Sequence, residues 1–83
     1  MIIDVIHMEL QDAGFVPDWY DCDRKAIVIK SVYEFNIWIK DTWIYYWWED
    51  RDGDPYTRRI DLNDPRYMDL LTRVLVAPDP LRI

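Results

Sequence analysis

The sequence predicts an α+β fold: a helix, an antiparallel meander of three or four strands, and a second helix, with both helices on one face of the sheet. Three observations predict it. Apolar residues recur at three- and four-residue spacing near each end of the chain, over Ile2–Ala13 and Tyr67–Leu75. Between them lie runs rich in β-branched and aromatic residues, each bounded by turn-forming sequence. Each predicted helix carries one apolar stripe, and two singly striped helices are buried most simply side by side on one sheet face.

In the first helix, Ile2, Ile3, Val5, Ile6, Leu10 and Ala13 form the stripe, and Gly14 suits its C-terminal cap. Phe15–Asp23 follows, where Pro17 argues against a central strand and leaves room for a short edge strand at most. Asp21-Cys22-Asp23-Arg24 has turn chemistry. Ala26–Lys30 reads as a strand through Ile27, Val28 and Ile29. Ile27, Ile29, Phe35, Ile37 and Ile39 share odd numbering, so one odd-numbered face is expected to be buried throughout this segment.

Phe35–Trp48 is expected to form a hairpin and holds four of the five tryptophans. A two-residue turn at Lys40-Asp41 sets Ile39 against Thr42, Ile37 against Ile44 and Trp38 against Trp43; Lys-Asp is not a favoured pair for such a turn, so the register is open to slippage. Large residues occupy both faces of Thr42–Trp48. Glu49–Pro55 is a loop, and Tyr56–Leu62 resumes as a strand with Tyr56, Arg58, Ile60 and Leu62 on one side. Asp64 and Pro65 suit a helix start, Tyr67, Leu70, Leu71, Val74 and Leu75 form the second stripe, and residues from about 78 to 83 form an extended tail. Without repeats or a linker, residues 1–83 are expected to form a single domain.

An 83-residue chain buries only about 60–65% of its unfolded surface, so its core is modest. A content of 51% hydrophobic and 16% aromatic residues offsets that. Cys22 is the lone cysteine, which excludes an intrachain disulfide and fits a reducing compartment. The N-terminus lacks a basic start followed by an apolar run, and no apolar run approaches the roughly 18 residues of a membrane span. The expectation is a soluble cytoplasmic protein without membrane contact.

The net charge of −6 is unevenly spread. Residues 1–23 contain Asp4, Glu9, Asp12, Asp18, Asp21 and Asp23 with no Lys or Arg, residues 24–48 are net +2, and residues 49–64 are net −3. Such acidity disfavours direct nucleic-acid binding and favours partners with a basic surface. The six N-terminal acids are therefore a candidate acidic surface; an ordinary solvated exterior is the alternative.

The strongest functional signal is the second face of the hairpin. If Ile37, Ile39, Ile44, Tyr46 and Trp48 bury against the helices, then Trp38, Trp43, Tyr45 and Trp47 face away from them. An exposed surface of that kind marks a protein partner or a second copy of the chain. The alternative is a cover made by Phe15, Trp19 and the tail. Asp50, Asp52, Asp54 and Asp61 raise the question of calcium, since alternate Asp residues can supply the oxygen ligands it prefers. The spacing from Asp50 to Asp61 matches positions one and twelve of an EF-hand loop, but Gly53 and Pro55 break the pattern and the flanks read as strands; an acidic hairpin loop without a cofactor is the plainer expectation.

His7 and Cys22 carry no nucleophile motif, and with only Gly14 and Gly53 there is no glycine-rich phosphate loop. The expected function is a non-enzymatic protein-interaction domain; a small metal- or ligand-binding domain using Asp50–Asp61 is the alternative. In size, acidity and helix–sheet–helix layout the chain resembles the small phage-encoded inhibitors of host defence, some of which occupy the nucleic-acid site of a nuclease. That resemblance implies an acidic surface placed in a basic groove. It rests on the organisation of the whole chain and transfers no individual residue.

Overall fold

The structure, a computed structural model, describes residues 1–78. Its elements are α1 (Ile2–Asp12), β1 (Pro17–Asp21), β2 (Ala26–Lys30), β3 (Glu34–Lys40), β4 (Trp43–Glu49), β5 (Pro55–Asp61) and α2 (Tyr67–Val76). The strands form one antiparallel sheet in the order β1-β2-β3-β4-β5. The α+β class and the meander between two helices are as expected, with five strands where three or four were expected. The additional strand is β1: Pro17 sits at its start, on the sheet edge where a missing N–H is tolerated, and the register shifts between Pro17 and Trp19.

Helix α1 buries Ile3, Ile6 and Leu10, and α2 buries Leu71 and Leu75. These side chains meet Ile27, Ile29, Phe35, Ile37, Ile39, Ile44, Tyr46, Trp48 and Ile60 in one core. Both helices therefore lie on the face carrying the odd residues of β2 and β3 and the even residues of β4 and β5. Across the far end of this face runs an aromatic group. Trp48 lies with its ring centroid 5.7 Å from Phe35, 5.8 Å from Tyr46 and 5.0 Å from Tyr56. His7 of α1 stacks on Tyr20 of β1 at 4.0 Å, holding the helix to the sheet edge. No helix among the described residues is long and apolar enough to cross a membrane.

The turn between β3 and β4 differs from expectation. It falls at Asp41-Thr42, so Lys40 pairs with Trp43, Ile39 with Ile44, Trp38 with Tyr45 and Ile37 with Tyr46. Asp41 takes φ 57°, a left-handed conformation that Asp tolerates better than most residues. The Thr42 carbonyl accepts the Leu62 N–H at 2.8 Å, tying the turn to the end of β5. The slip moves each pairing by two positions, an even number, so every side chain keeps its expected face.

Gly14 closes α1 as expected. The Phe15 N–H donates to the Leu10 carbonyl and the Gly14 N–H to the Gln11 carbonyl, both at 3.0 Å, with Gly14 at φ 96°. This pair of hydrogen bonds requires a left-handed residue. A Cβ on Gly14 would meet nothing within 4 Å, so the cost of a side chain is conformational alone. Gly14→Ala is expected to lower stability by about 1–2 kcal/mol in urea unfolding, with Gly14→Asn losing less.

The start of α2 is shifted from the expected Pro65 to Tyr67. Asp64 acts one turn earlier: its carboxylate accepts the Arg66 guanidinium at 3.2 Å and the Arg66 N–H at 2.9 Å. Those bonds hold its carboxyl below the ordinary value of 3.8. In the core, burial pushes the Tyr46 phenol above 10.0, and Arg58 pulls it partly back. The folded state thus favours the neutral phenol. Its contribution is fully present below the ordinary tyrosine value of 10.0 and is lost as pH rises through the raised one. Urea midpoints measured into the alkaline range should fall less steeply for Tyr46→Phe than for the wild type.

Candidate interaction surface

The strand register fixes what stands on the face opposite the helices. Adjacent pairings place Trp19, Val28, Asn36, Trp47 and Thr57 in one row across the sheet, from β1 to β5. A second row runs Asp21, Ala26, Trp38, Tyr45 and Arg59. Below the first stand Lys30, Glu34, Glu49 and Pro55; above the second stand Lys40, Trp43 and Asp61. The four expected aromatics, Trp38, Trp43, Tyr45 and Trp47, are thus brought together on neighbouring strands.

These four are half-buried, by one another and by their neighbours. Trp38 stacks on Tyr45 with 5.5 Å between centroids and 10° between planes. The Arg59 guanidinium lies 3.9 Å from the centroid of Trp43. That cation–π contact, worth about 0.5–1 kcal/mol at an exposed site, holds the indole and the guanidinium in a fixed arrangement. All helix side chains in the buried core of the described residues belong to the opposite face. Phe15 packs against that core instead of covering the tryptophans. Trp19, the other expected cover, is part of the open face and remains 42% exposed. Residues 79–83, most of the expected tail, lie outside the described residues.

Among the residues of this face that the sequence pattern did not assign to it are Trp19 and Arg59. Arg59 had a usable signal, because it alternates with the core residue Ile60. Trp19 had none, because the irregularity between Pro17 and Trp19 breaks the alternation that would have placed it.

The acidic residues are divided among several places. The Asp4 carboxylate is 3.3 Å from the N-terminal amine. Glu9 and Asp12 line an open cleft of about 300 Å³ with Ala13, Met68, Asp69 and Thr72. Asp18 lies 3.9 Å from the Lys30 amine. Asp21 accepts the Asp23 and Arg24 N–H groups at 2.9 and 3.2 Å, closing the β1–β2 turn, with Asp23 exposed beside it. Cys22 is a free, exposed thiol in the same turn.

Of the four residues considered for calcium, Asp50, Asp52 and Asp54 are gathered, with ligand oxygens within 4.8 Å of one another. Asp61 is not. It lies opposite Trp43 at the far end of β5, about 20 Å along the strand from the loop at the usual rise per residue. The EF-hand spacing fails because a strand, not a loop, joins its two ends. One oxygen of Asp50 accepts the N–H groups of Asp52 and Asp54 at 2.9 and 3.0 Å, and the other accepts the Tyr56 hydroxyl at 3.0 Å. Gly53 turns the chain at φ 82°. The carboxylate of Asp50 is the internal scaffold of this loop.

Fold and site together define a class: a small α+β protein whose meander is covered by two helices on one face and is aromatic on the other. The chain matches no family model, no curated protein and no solved structure.

Proposed function

We propose that this chain is a non-enzymatic protein-interaction domain that binds through the open aromatic face of its sheet. The observation that carries the reading is that Trp19, Trp38, Trp43, Tyr45 and Trp47 share the face opposite both helices. Contiguous exposed aromatic surface is uncommon on monomers, and Trp, Tyr and Arg are the residues that most often anchor interfaces. The dispersal of the acidic residues favours this face over an acidic patch as the binding surface. The absence of an enzymatic role is supported by His7, whose ring is stacked on Tyr20, and by Cys22, which stands in the exposed β1–β2 turn apart from that histidine. A cytoplasmic location belongs to the same proposal and fits an exposed cysteine outside any disulfide.

The test is capture by a tagged chain in lysate of its native host. Wild type is expected to retain a protein that Trp38→Ala/Trp43→Ala loses. An amide variant, Glu9→Gln/Asp12→Asn/Asp18→Asn/Asp23→Asn, is expected to keep it. Loss in the amide variant alone would instead select the acidic residues and the groove-occupying role.

The Asp50–Asp54 loop is proposed to close the β4–β5 hairpin without a cofactor. Asp50→Ala removes the acceptor of two N–H groups and a hydroxyl, and should cost about 1–3 kcal/mol. Millimolar calcium should leave the melting temperature of the wild type unchanged; a rise of several degrees would assign the loop to a cation.

A further inference from the structure

The open face is lopsided in a way that identifies its occupant. Its bulk stands on β3 and β4, as Trp38, Trp43, Tyr45 and Trp47, whereas β2 offers only Ala26 and Val28 between its charged end and its turn, and β5 offers Thr57. Its charges are lopsided too. Asp21 ends one row on β1 and Arg59 ends the same row on β5. In the lowest row, Lys30 stands on β2 and Glu49 on β4.

We infer that, given a protein-binding role for this face, the partner is a second copy of the chain, packed face to face about a two-fold axis that runs parallel to the strands over β3. Such an axis lays β1 over β5 and β2 over β4 of the second copy. Each row then meets its own reverse. Ala26 lies under Tyr45 of the second copy, Val28 under its Trp47, and Trp19 against its Thr57. Large side chains fall where small ones leave room, as sheet packing at about 10 Å requires. Trp38 meets its own copy on the axis. Asp21 meets Arg59, and Lys30 meets Glu49, each pair made twice by symmetry.

An axis across the strands lacks this fit. It sets Tyr45 on Trp47 and leaves Ala26 against Val28, and the opposite charges it brings together are Glu34 and Lys40 at the two ends of β3, leaving Asp21, Lys30, Glu49 and Arg59 without opposite charges across the seam. The favoured axis places Glu34 and Lys40 against their own copies at its two ends. There solvent screens them, and Lys30 sits 3.9 Å from Glu34. Strand spacing and rise give the face a footprint of roughly 20 by 20 Å. That is small for a stable interface, so dissociation in the micromolar range is expected.

The test is light scattering on the 83-residue chain over a wide concentration range. Wild type is expected to approach twice the one-chain mass of 10.2 kDa as concentration rises. Asp21→Arg and Arg59→Asp should each weaken the dimer by about tenfold or more, because each sets like charges together twice. An equimolar mixture of the two should recover the two-chain mass, since the mixed dimer restores both opposite-charge pairs. Lys30→Glu and Glu49→Lys repeat the scheme away from the turn that Asp21 closes, and circular dichroism checks each variant for folding.

A one-chain mass for wild type at every concentration overturns the second copy and leaves the face to the capture experiment. A dimer lost in Trp38→Ala but not restored by either mixture overturns the axis while keeping the face. A dimer untouched by Trp38→Ala places self-association on another surface, which overturns this inference and leaves the face to the capture experiment.

Discussion

Trp48→Ala is expected to remove about 3–5 kcal/mol of stability, the usual cost of deleting a buried large aromatic side chain. Trp48 is 2% exposed, at the centre of the group formed by Phe35, Tyr46 and Tyr56. Truncation loses the buried area of the indole and leaves a cavity bounded by rigid rings, which cannot collapse far. A domain of this size holds a total of about 5–15 kcal/mol, so the variant should unfold at a much lower urea concentration, or be unfolded without denaturant. Trp48→Phe, which keeps part of the ring contact, should fall between the two. A urea midpoint for Trp48→Ala within error of wild type would show that the helix-covered face is not the core.

Trp38→Ala/Trp43→Ala should do the reverse. Neither indole is buried, and truncation removes only one ring stack on Tyr45 and one cation–π pair with Arg59. The expected folding cost is on the order of 1–2 kcal/mol. The effect on binding should be far larger, because anchor aromatics each contribute about 2 kcal/mol or more when truncated. The double variant should therefore weaken association by a hundredfold or more. Titration calorimetry with the captured partner, or the dilution dependence of the dimer, measures it directly. Together the two experiments separate the faces of one hairpin: Trp48 for folding, Trp38 and Trp43 for binding.

The separation was legible in the sequence because side chains on a strand alternate. Ile37, Ile39, Ile44, Tyr46 and Trp48 could be assigned to one face and Trp38, Trp43, Tyr45 and Trp47 to the other without knowing the register. The turn itself was harder. Neither Lys40-Asp41 nor Asp41-Thr42 carries a strong local signal, and the choice is made by tertiary contacts: Ile39 pairing with Ile44, and Thr42 bonded to Leu62 across the next hairpin. Strand β1 was obscured by Pro17 and the irregularity that follows it, which also hid the place of Trp19 on the open face. The calcium spacing misled for a related reason. Twelve positions in sequence imply closeness only within a compact loop, and Tyr56–Asp61 is extended strand. How the acids divide among helix, turn and strand depends on packing that composition does not contain.

The most direct test of the central claim uses the five indole N–H signals in a proton–nitrogen correlation spectrum. Each tryptophan reports on its own place: Trp19, Trp38, Trp43 and Trp47 on the open face, and Trp48 beneath the helices. The account predicts that raising the protein concentration, or adding the captured partner, shifts or broadens the first four while Trp48 stays in position. If Trp48 moves and the four open-face indoles do not, or if none of the four responds to either addition, the sheet face is not the binding surface.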